Sequence, residues 1–272
     1  QAVEYLSESI ASDYDENQAY PLVVGYRGGP HANAGQFRDQ LTFLADSIGA
    51  IILCPENEDH FWQEEGLTKQ LFQYSVAEAQ TMYNIDPDYI YLTGLSYGGR
   101  HAVIVSMDTD DGPIPNLRGV IPFAAGSDSQ LQPNYSDIVD FPPACICIGL
   151  SDSNNFITVS NTLHNDIQAN GGVSMLNEIP GVGHTVDFPT FPEEMMECLN
   201  FIEEQYPTTG LAYHPNFSAT DISLFPNPAS ANMEIRFPLN LNPDKFEVYS
   251  TLGQAIRQLP ITPMLPCNNA AF

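Results

Sequence analysis

The pentapeptide Gly94-Leu95-Ser96-Tyr97-Gly98 sets a serine between two glycines. A β-branched and aromatic run, Tyr89-Ile90-Tyr91-Leu92-Thr93, enters it, and a small-residue helical stretch from Gly98 to Met107 leaves it. A serine between a strand and a helix must take a tight, strained turn. Glycines two before and two after it avoid the clashes that a Cβ would create. The pattern predicts a nucleophile elbow, with the Ser96 hydroxyl exposed for attack on a carbonyl carbon. The competing reading is a glycine-rich connector.

Such a serine needs a base, an acid and an oxyanion site, and behind an elbow the chain order is serine, acid, histidine. The next strongly apolar strand after Ser96, Ala144-Cys145-Ile146-Cys147-Ile148-Gly149, ends in Leu150-Ser151-Asp152, so Asp152 stands at a strand's carboxyl end. The strand Val173 to Ile179 then runs into Pro180-Gly181-Val182-Gly183-His184, where flanking glycines let a loop carry the imidazole back towards the serine. Position disfavours the other histidines. His31 and His60 precede the serine, His101 lies on the elbow helix, His164 falls in the periodic run Phe156, Val159, Leu163, Ile167, and His214 sits in a proline-rich stretch. Asp128, after the strand Gly119 to Ala124, is the rival to Asp152 as the acid.

The oxyanion site is expected to combine the backbone N–H of Tyr97 with one from the loop after an early strand. That strand is Pro21 to Tyr26 and the loop is Arg27-Gly28-Gly29-Pro30-His31, with Gly29 as the second donor. Trp62, on a loop placed to overhang the site, is the candidate for contact with an acyl or aromatic group; its alternative role is a core or lid anchor.

The elements that must hold these residues alternate. A strand Leu22 to Tyr26, a helix Gln36 to Ile48, a strand Ala50 to Cys54 and a helix around Leu67 to Tyr83 precede the elbow. In that second helix Phe72, Val76, Ala79 and Tyr83 repeat at three or four residues, the period of one buried face. Gly171-Gly172 stops a helix begun at Asn155, and Met195, Cys198, Leu199 and Ile202 form a last amphipathic helix. Alternating strands and helices imply an α/β fold, a doubly wound and mostly parallel sheet with helices on both sides. One edge strand is expected within residues 1 to 20. The catalytic domain is predicted over residues 1–205, a linker over 206–219 and an incomplete β-rich appendage over 220–272, where short alternating runs replace helices.

With eight basic residues against 34 acidic ones, the formal charge is −26, and only Lys69 and Lys245 are lysines. Nucleic acid is excluded as a partner and anionic membranes are disfavoured, because both repel such a surface. No apolar run approaches the roughly 18 residues needed to cross a bilayer, and Gln1 opens the chain without a basic-then-apolar signal segment, as in a mature form. The five cysteines, Cys54, Cys145, Cys147, Cys198 and Cys267, are read as core packing. Cys145 and Cys147, two apart on one strand face, are poorly placed to bond to each other. Metal-ligand spacing is absent, and neither a metal nor a cofactor is expected.

Two stretches resemble known families. Residues 21 to 185 resemble the secreted α/β-hydrolase esterases related to polyhydroxybutyrate depolymerases and feruloyl esterases. The matching residues are Leu22-Val23-Val24 before Gly28, Pro55-Glu56-Asn57 before Trp62, Ile85 to Tyr91 before Gly94-Leu95-Ser96, Gly149 before Asp152, and Gly183-His184. The resemblance implies cofactor-free hydrolysis of carboxylic esters, including those in polymers or on polysaccharides, through an acyl-enzyme on Ser96. Arg27 stands where the family usually has a histidine, and Trp62 is the sole tryptophan. Leu224-Phe225-Pro226-Asn227-Pro228-Ala229 with Val248 to Gly253 resembles the carboxyl-terminal sorting domain of the type IX secretion system, without its usual later strands. That implies secretion machinery as a partner and export to the surface or medium of a Gram-negative, Bacteroidetes-like bacterium.

The reading is a secreted serine carboxylic-ester hydrolase for neutral small-molecule or polymeric esters. A secreted serine peptidase of the same fold and an inert surface-binding module are the alternatives. So acidic a surface repels itself least where the Debye length is short, as in brine or seawater. The melting temperature is therefore expected to rise as NaCl is added from millimolar towards molar concentrations; a fall with salt contradicts a marine or saline habitat.

Overall fold

The computed structural model describes residues 6–10, 14–29, 33–56, 65–107, 117–125 and 140–206, followed by short strands between residues 223 and 271. Asp128, Trp62 and Cys267, together with His31, His60 and His214, lie outside the described residues. The chain divides into two compact units, Gln1–Gln205 and Tyr206–Phe272.

In the first unit the apolar runs become strands buried along their whole length: β2 (Tyr20–Tyr26), β3 (Ile51–Pro55) and β6 (Ala144–Gly149). A strand covered on both faces has no polar face to alternate with, which is why these runs are continuously apolar. They join β4 (Ile85–Leu95), β5 (Leu117–Phe123) and β7 (Ser174–Ile179) in a parallel sheet, with β1 (Leu6–Ser9) antiparallel on the edge against β3. The strand order is β1-β3-β2-β4-β5-β6-β7. Between the strands run α1 (Ala34–Leu41), α2 (Phe43–Ile48), α3 (Glu65–Met82), α4 (Tyr97–Ser106), α5 (Asn154–Ala169) and α6 (Phe191–Glu204). Leu22, Val24, Leu92, Val120 and Ile146 from four neighbouring strands join Phe72 and Ala79 of α3, Ala102 and Val105 of α4, and Leu163 and Ile167 of α5 in one buried cluster.

The single helix expected over 36–48 is two. Thr42 ends α1, and the Ala45 N–H bonds back to the Thr42 carbonyl at 3.0 Å, a three-residue step tighter than the α-helical one. Helix α6 is clamped at its end by Arg118 of β5, which donates two hydrogen bonds to the Glu203 carboxylate at 2.9 and 2.7 Å, while the Tyr91 hydroxyl donates to the same group at 2.5 Å.

The cysteines do more than pack. Cys145 of β6 is bonded to Cys198 of α6. The Cys147 sulfur, on the same strand face, lies 3.2 Å from that of Cys198, and all three sulfurs fall within 4.8 Å of one another. Linear spacing could not show this cluster, because its third member arrives 53 residues after the first. Burial pushes the Cys147 thiol well above its ordinary value, with Glu194 and Glu197 adding to the effect. Cys54 is likewise buried as a thiol.

The second unit holds two antiparallel groups. Strands β8 (Ser223–Phe225), β9 (Glu234–Arg236) and β12 (Asn269–Ala271) form one, with β9 central, and β10 (Lys245–Tyr249) pairs with β11 (Ala255–Pro260) in the other. Among the described residues no helix is long and apolar enough to cross a membrane.

Cross-linking a loop of this length removes denatured-state entropy worth about 4 kcal/mol. Cys198→Ser is therefore expected to lower the melting temperature by roughly 10 °C, and reductant to lower that of the wild type similarly; a melt indifferent to both contradicts the β6–α6 cross-link.

Candidate active site

The turn at Ser96 is built by close approach. Strand β4 ends at Leu95 and α4 begins at Tyr97, so one residue makes the reversal, and Ser96 takes φ 58°, ψ −118°, a conformation L-residues avoid. Its N–H bonds the Phe123 carbonyl of β5 at 2.8 Å, and its own carbonyl accepts from the Arg100 N–H at 3.0 Å. A Cβ on Gly98 would collide with the Tyr26 and Arg27 carbonyl oxygens, and one on Gly94 would strike the Gly98 carbonyl. Only glycine allows the end of β2 and the start of α4 to meet there. That closeness encloses the residue, which is 8 % accessible as a whole. At the other end of α4, the buried Lys69 ammonium donates to the Met107 carbonyl at 2.7 Å, a cation where the helix dipole is negative.

Asp152 and His184 meet directly. The His184 Nδ1 lies 2.7 Å from Asp152 Oδ2, and the carboxylate side chain is only 2 % exposed against 35 % for the imidazole. Asp152 Oδ1 also accepts from the Ser153 N–H at 2.6 Å, which fixes the carboxylate at the start of α5. The two supporting turns are stitched together: Ser151 N–H donates to the Val182 carbonyl at 2.8 Å, and Leu150 N–H to that of Ile179 at 3.0 Å. Gly149 makes this possible, because a Cβ there would collide with the Val182 carbonyl. The Phe156 ring, from the first turn of α5, packs on the imidazole with centroids 4.1 Å apart. Phe156 was legible in sequence only as part of an apolar stripe; nothing in the pattern distinguished a residue facing a histidine from one facing the core.

Parallel strands end at one edge of their sheet. Ser96 follows β4, Asp152 follows β6 and the His184 loop follows β7, so all three stand at that edge, with β5 between the serine's strand and the acid's. Gly29, after β2, stands there too. A Cβ built on Gly29 would lie 3.8 Å from the Tyr97 ring, and one on Gly28 would lie 3.7 Å from the Leu95 carbonyl, so this loop runs directly over the elbow.

The rival histidines within the described residues have other partners. His164 Nδ1 is 2.9 Å from the Ser174 hydroxyl. His101 is buried edge-on to Tyr26, and burial, then Arg100 and Arg27, push it down to about 3, so it stays neutral at ordinary pH.

No family model and no curated protein matches the chain. Solved structures do. An esterase from the planctomycete Thermogutta terrifontis superposes with a TM-score of 0.61 at 17% identity, over 74% of this chain and 87% of its own. Esterase PE8 gives 0.56 at 17%, over 73% and 99%. A mutant form of esterase rPPE gives 0.57 at 13%, over 66% and 70%. The chain has the α/β-hydrolase fold. Further structures of the Thermogutta terrifontis enzyme show it phosphorylated by paraoxon and phosphoramylated by tabun. In that fold the region at the carboxyl ends of the strands, where Ser96, Asp152 and His184 stand here, is the place where sites are built.

The Gly149–Val182 contact yields a test independent of any substrate. Gly149→Ala is expected to destabilise the domain by about 1–3 kcal/mol in urea unfolding and to alter the His184 nitrogen resonances as its loop is pushed from Asp152. Unchanged stability and unchanged imidazole signals contradict the packing described.

Proposed function

We propose that the protein is a serine carboxylic-ester hydrolase acting on neutral esters through an acyl-enzyme on Ser96. The observation that carries the reading is the left-handed backbone of Ser96: a serine held at φ 58° between strand and helix is strained, of the kind kept at reactive sites. The acid–base pair at the same sheet edge supports it.

In this reading Asp152 accepts from Nδ1–H of His184, which leaves Nε2 as the unprotonated nitrogen. As Ser96 Oγ attacks the ester carbonyl carbon, Nε2 takes its proton, and the carbonyl electrons become an oxyanion received by the backbone N–H groups of Gly29 and Tyr97. Collapse of the tetrahedral species breaks the bond to the alcohol oxygen, which leaves with the proton from Nε2. Water then repeats the sequence on the acyl-enzyme, releasing the acid and restoring Ser96. The −26 charge favours neutral esters over substrates that carry carboxylates. Polyesters and polysaccharide-linked acyl groups are the substrate classes suggested by resemblance, Trp62 is assigned to substrate contact, and the carboxyl-terminal β unit to export.

Ser96→Ala is expected to lower nitrophenyl ester hydrolysis by four to six orders of magnitude, as for other nucleophiles of a triad, and to abolish labelling by a fluorophosphonate. Substantial turnover without Ser96 would refute the assignment. Faster cleavage of peptide anilides than of esters would move the protein to the peptidases.

A further inference from the structure

Arg27 is an unusual residue to find at the mouth of an oxyanion loop. It is one of only eight basic residues in the chain, yet it is 4 % exposed. Burying a guanidinium costs several kcal/mol unless its charge is compensated, and here a loop carbonyl and a carboxylate from the end of β3 lie against it. Its terminal NH1 donates to the Gly29 carbonyl at 2.9 Å. Its Nε lies 3.0 Å from Glu56 Oε1, just past the end of β3. The other oxygen of that carboxylate, Oε2, accepts from the backbone N–H of Ala34, the first residue of α1, at 2.9 Å. One side-chain pair therefore spans the loop: from Gly29 through Arg27 and Glu56 to the start of α1, with both carboxylate oxygens engaged.

Gly29 has no side chain to hold its own conformation, and a glycine amide left to itself samples many orientations. An oxyanion donor contributes fully only when it is aimed before the charge develops. We propose that Arg27, braced by Glu56, is a positioning residue: it holds Gly29 by its carbonyl so that the Gly29 N–H faces the oxyanion. The proposal rests on the ester-hydrolase reading and adds to it the device that preorganises the oxyanion site. The rigid, permanently charged guanidinium presents separate nitrogens to the Gly29 carbonyl and to the Glu56 carboxylate.

The test compares wild type, Arg27→Met, Arg27→Lys and Glu56→Gln for kcat and KM with a nitrophenyl ester, for inhibition by a phenylboronic acid, which forms a tetrahedral adduct, and for melting temperature. Arg27→Met is expected to lower kcat about 10²-fold, the effect of losing one oxyanion donor, with KM within twofold and boronate affinity falling in parallel. Arg27→Lys keeps the charge but not the fork and is expected to recover only part of the loss. Glu56→Gln, which leaves the half-exposed position polar, is expected to lower kcat by about tenfold, and it decides the matter if Arg27→Met does not fold. Folded variants with wild-type kcat overturn the proposal alone. So does a loss confined to melting temperature or KM. A wild type that neither hydrolyses the ester nor reacts with a fluorophosphonate overturns the ester-hydrolase reading, and the positioning role with it.

Discussion

The structure depends on a steric constraint: β4 and α4 are joined through one residue, and the end of β2 presses against the start of α4 where any Cβ at position 98 would collide with main-chain carbonyls. Glycine at 94 and 98 is what lets the elements come so close, and the left-handed backbone of Ser96 is what remains when they do. Strain of this kind costs of order 1–3 kcal/mol and persists only where neighbours over-determine it. Here the hydrogen bonds from Ser96 N–H to Phe123 and from Arg100 N–H to Ser96 tie the turn to β5 and α4, so relaxing it would break main-chain bonds.

The same economy appears two strands away. Asp152 and His184 are 32 residues apart in the chain, yet their contact needs no long-range search once the sheet has formed, because β6 and β7 are adjacent and their following turns are bonded to each other through Ser151 and Val182. Gly149 plays against Val182 the part that Gly98 plays against Tyr26. In both places a backbone-to-backbone approach does the positioning, which makes the site a property of the sheet rather than of flexible side chains.

Charge is distributed unequally between surface and interior. The chain is strongly acidic, but Arg27 and Arg100 are buried near the elbow, Lys69 is buried at the far end of α4, and Arg118 is half-buried against Glu203 and Tyr91. Among the described residues three of these cations bind the main chain or a helix end, Lys69 at the carboxyl end of α4, Arg118 as a clamp on α6 and Arg27 within the loop over the elbow, while Arg38 pairs with Asp39 nearer the surface. The acidic groups left over account for the outer field.

By itself the sequence determined the order of strands and helices and the identity of Ser96, Asp152 and His184 as candidates, because hydrophobic period, glycine spacing and chain order are local or one-dimensional signals. The split of the first helix at Thr42 escaped it, since apolar period continues across a change of hydrogen-bond step. Only the tertiary structure decided that Cys198 meets Cys145, that Phe156 covers the imidazole, that Ser96 is enclosed, and that Arg27 and Glu56 grip the loop around Gly29. Each of these joins residues from elements distant in the chain or turns on which way a side chain faces, and packing in three dimensions is what sets both.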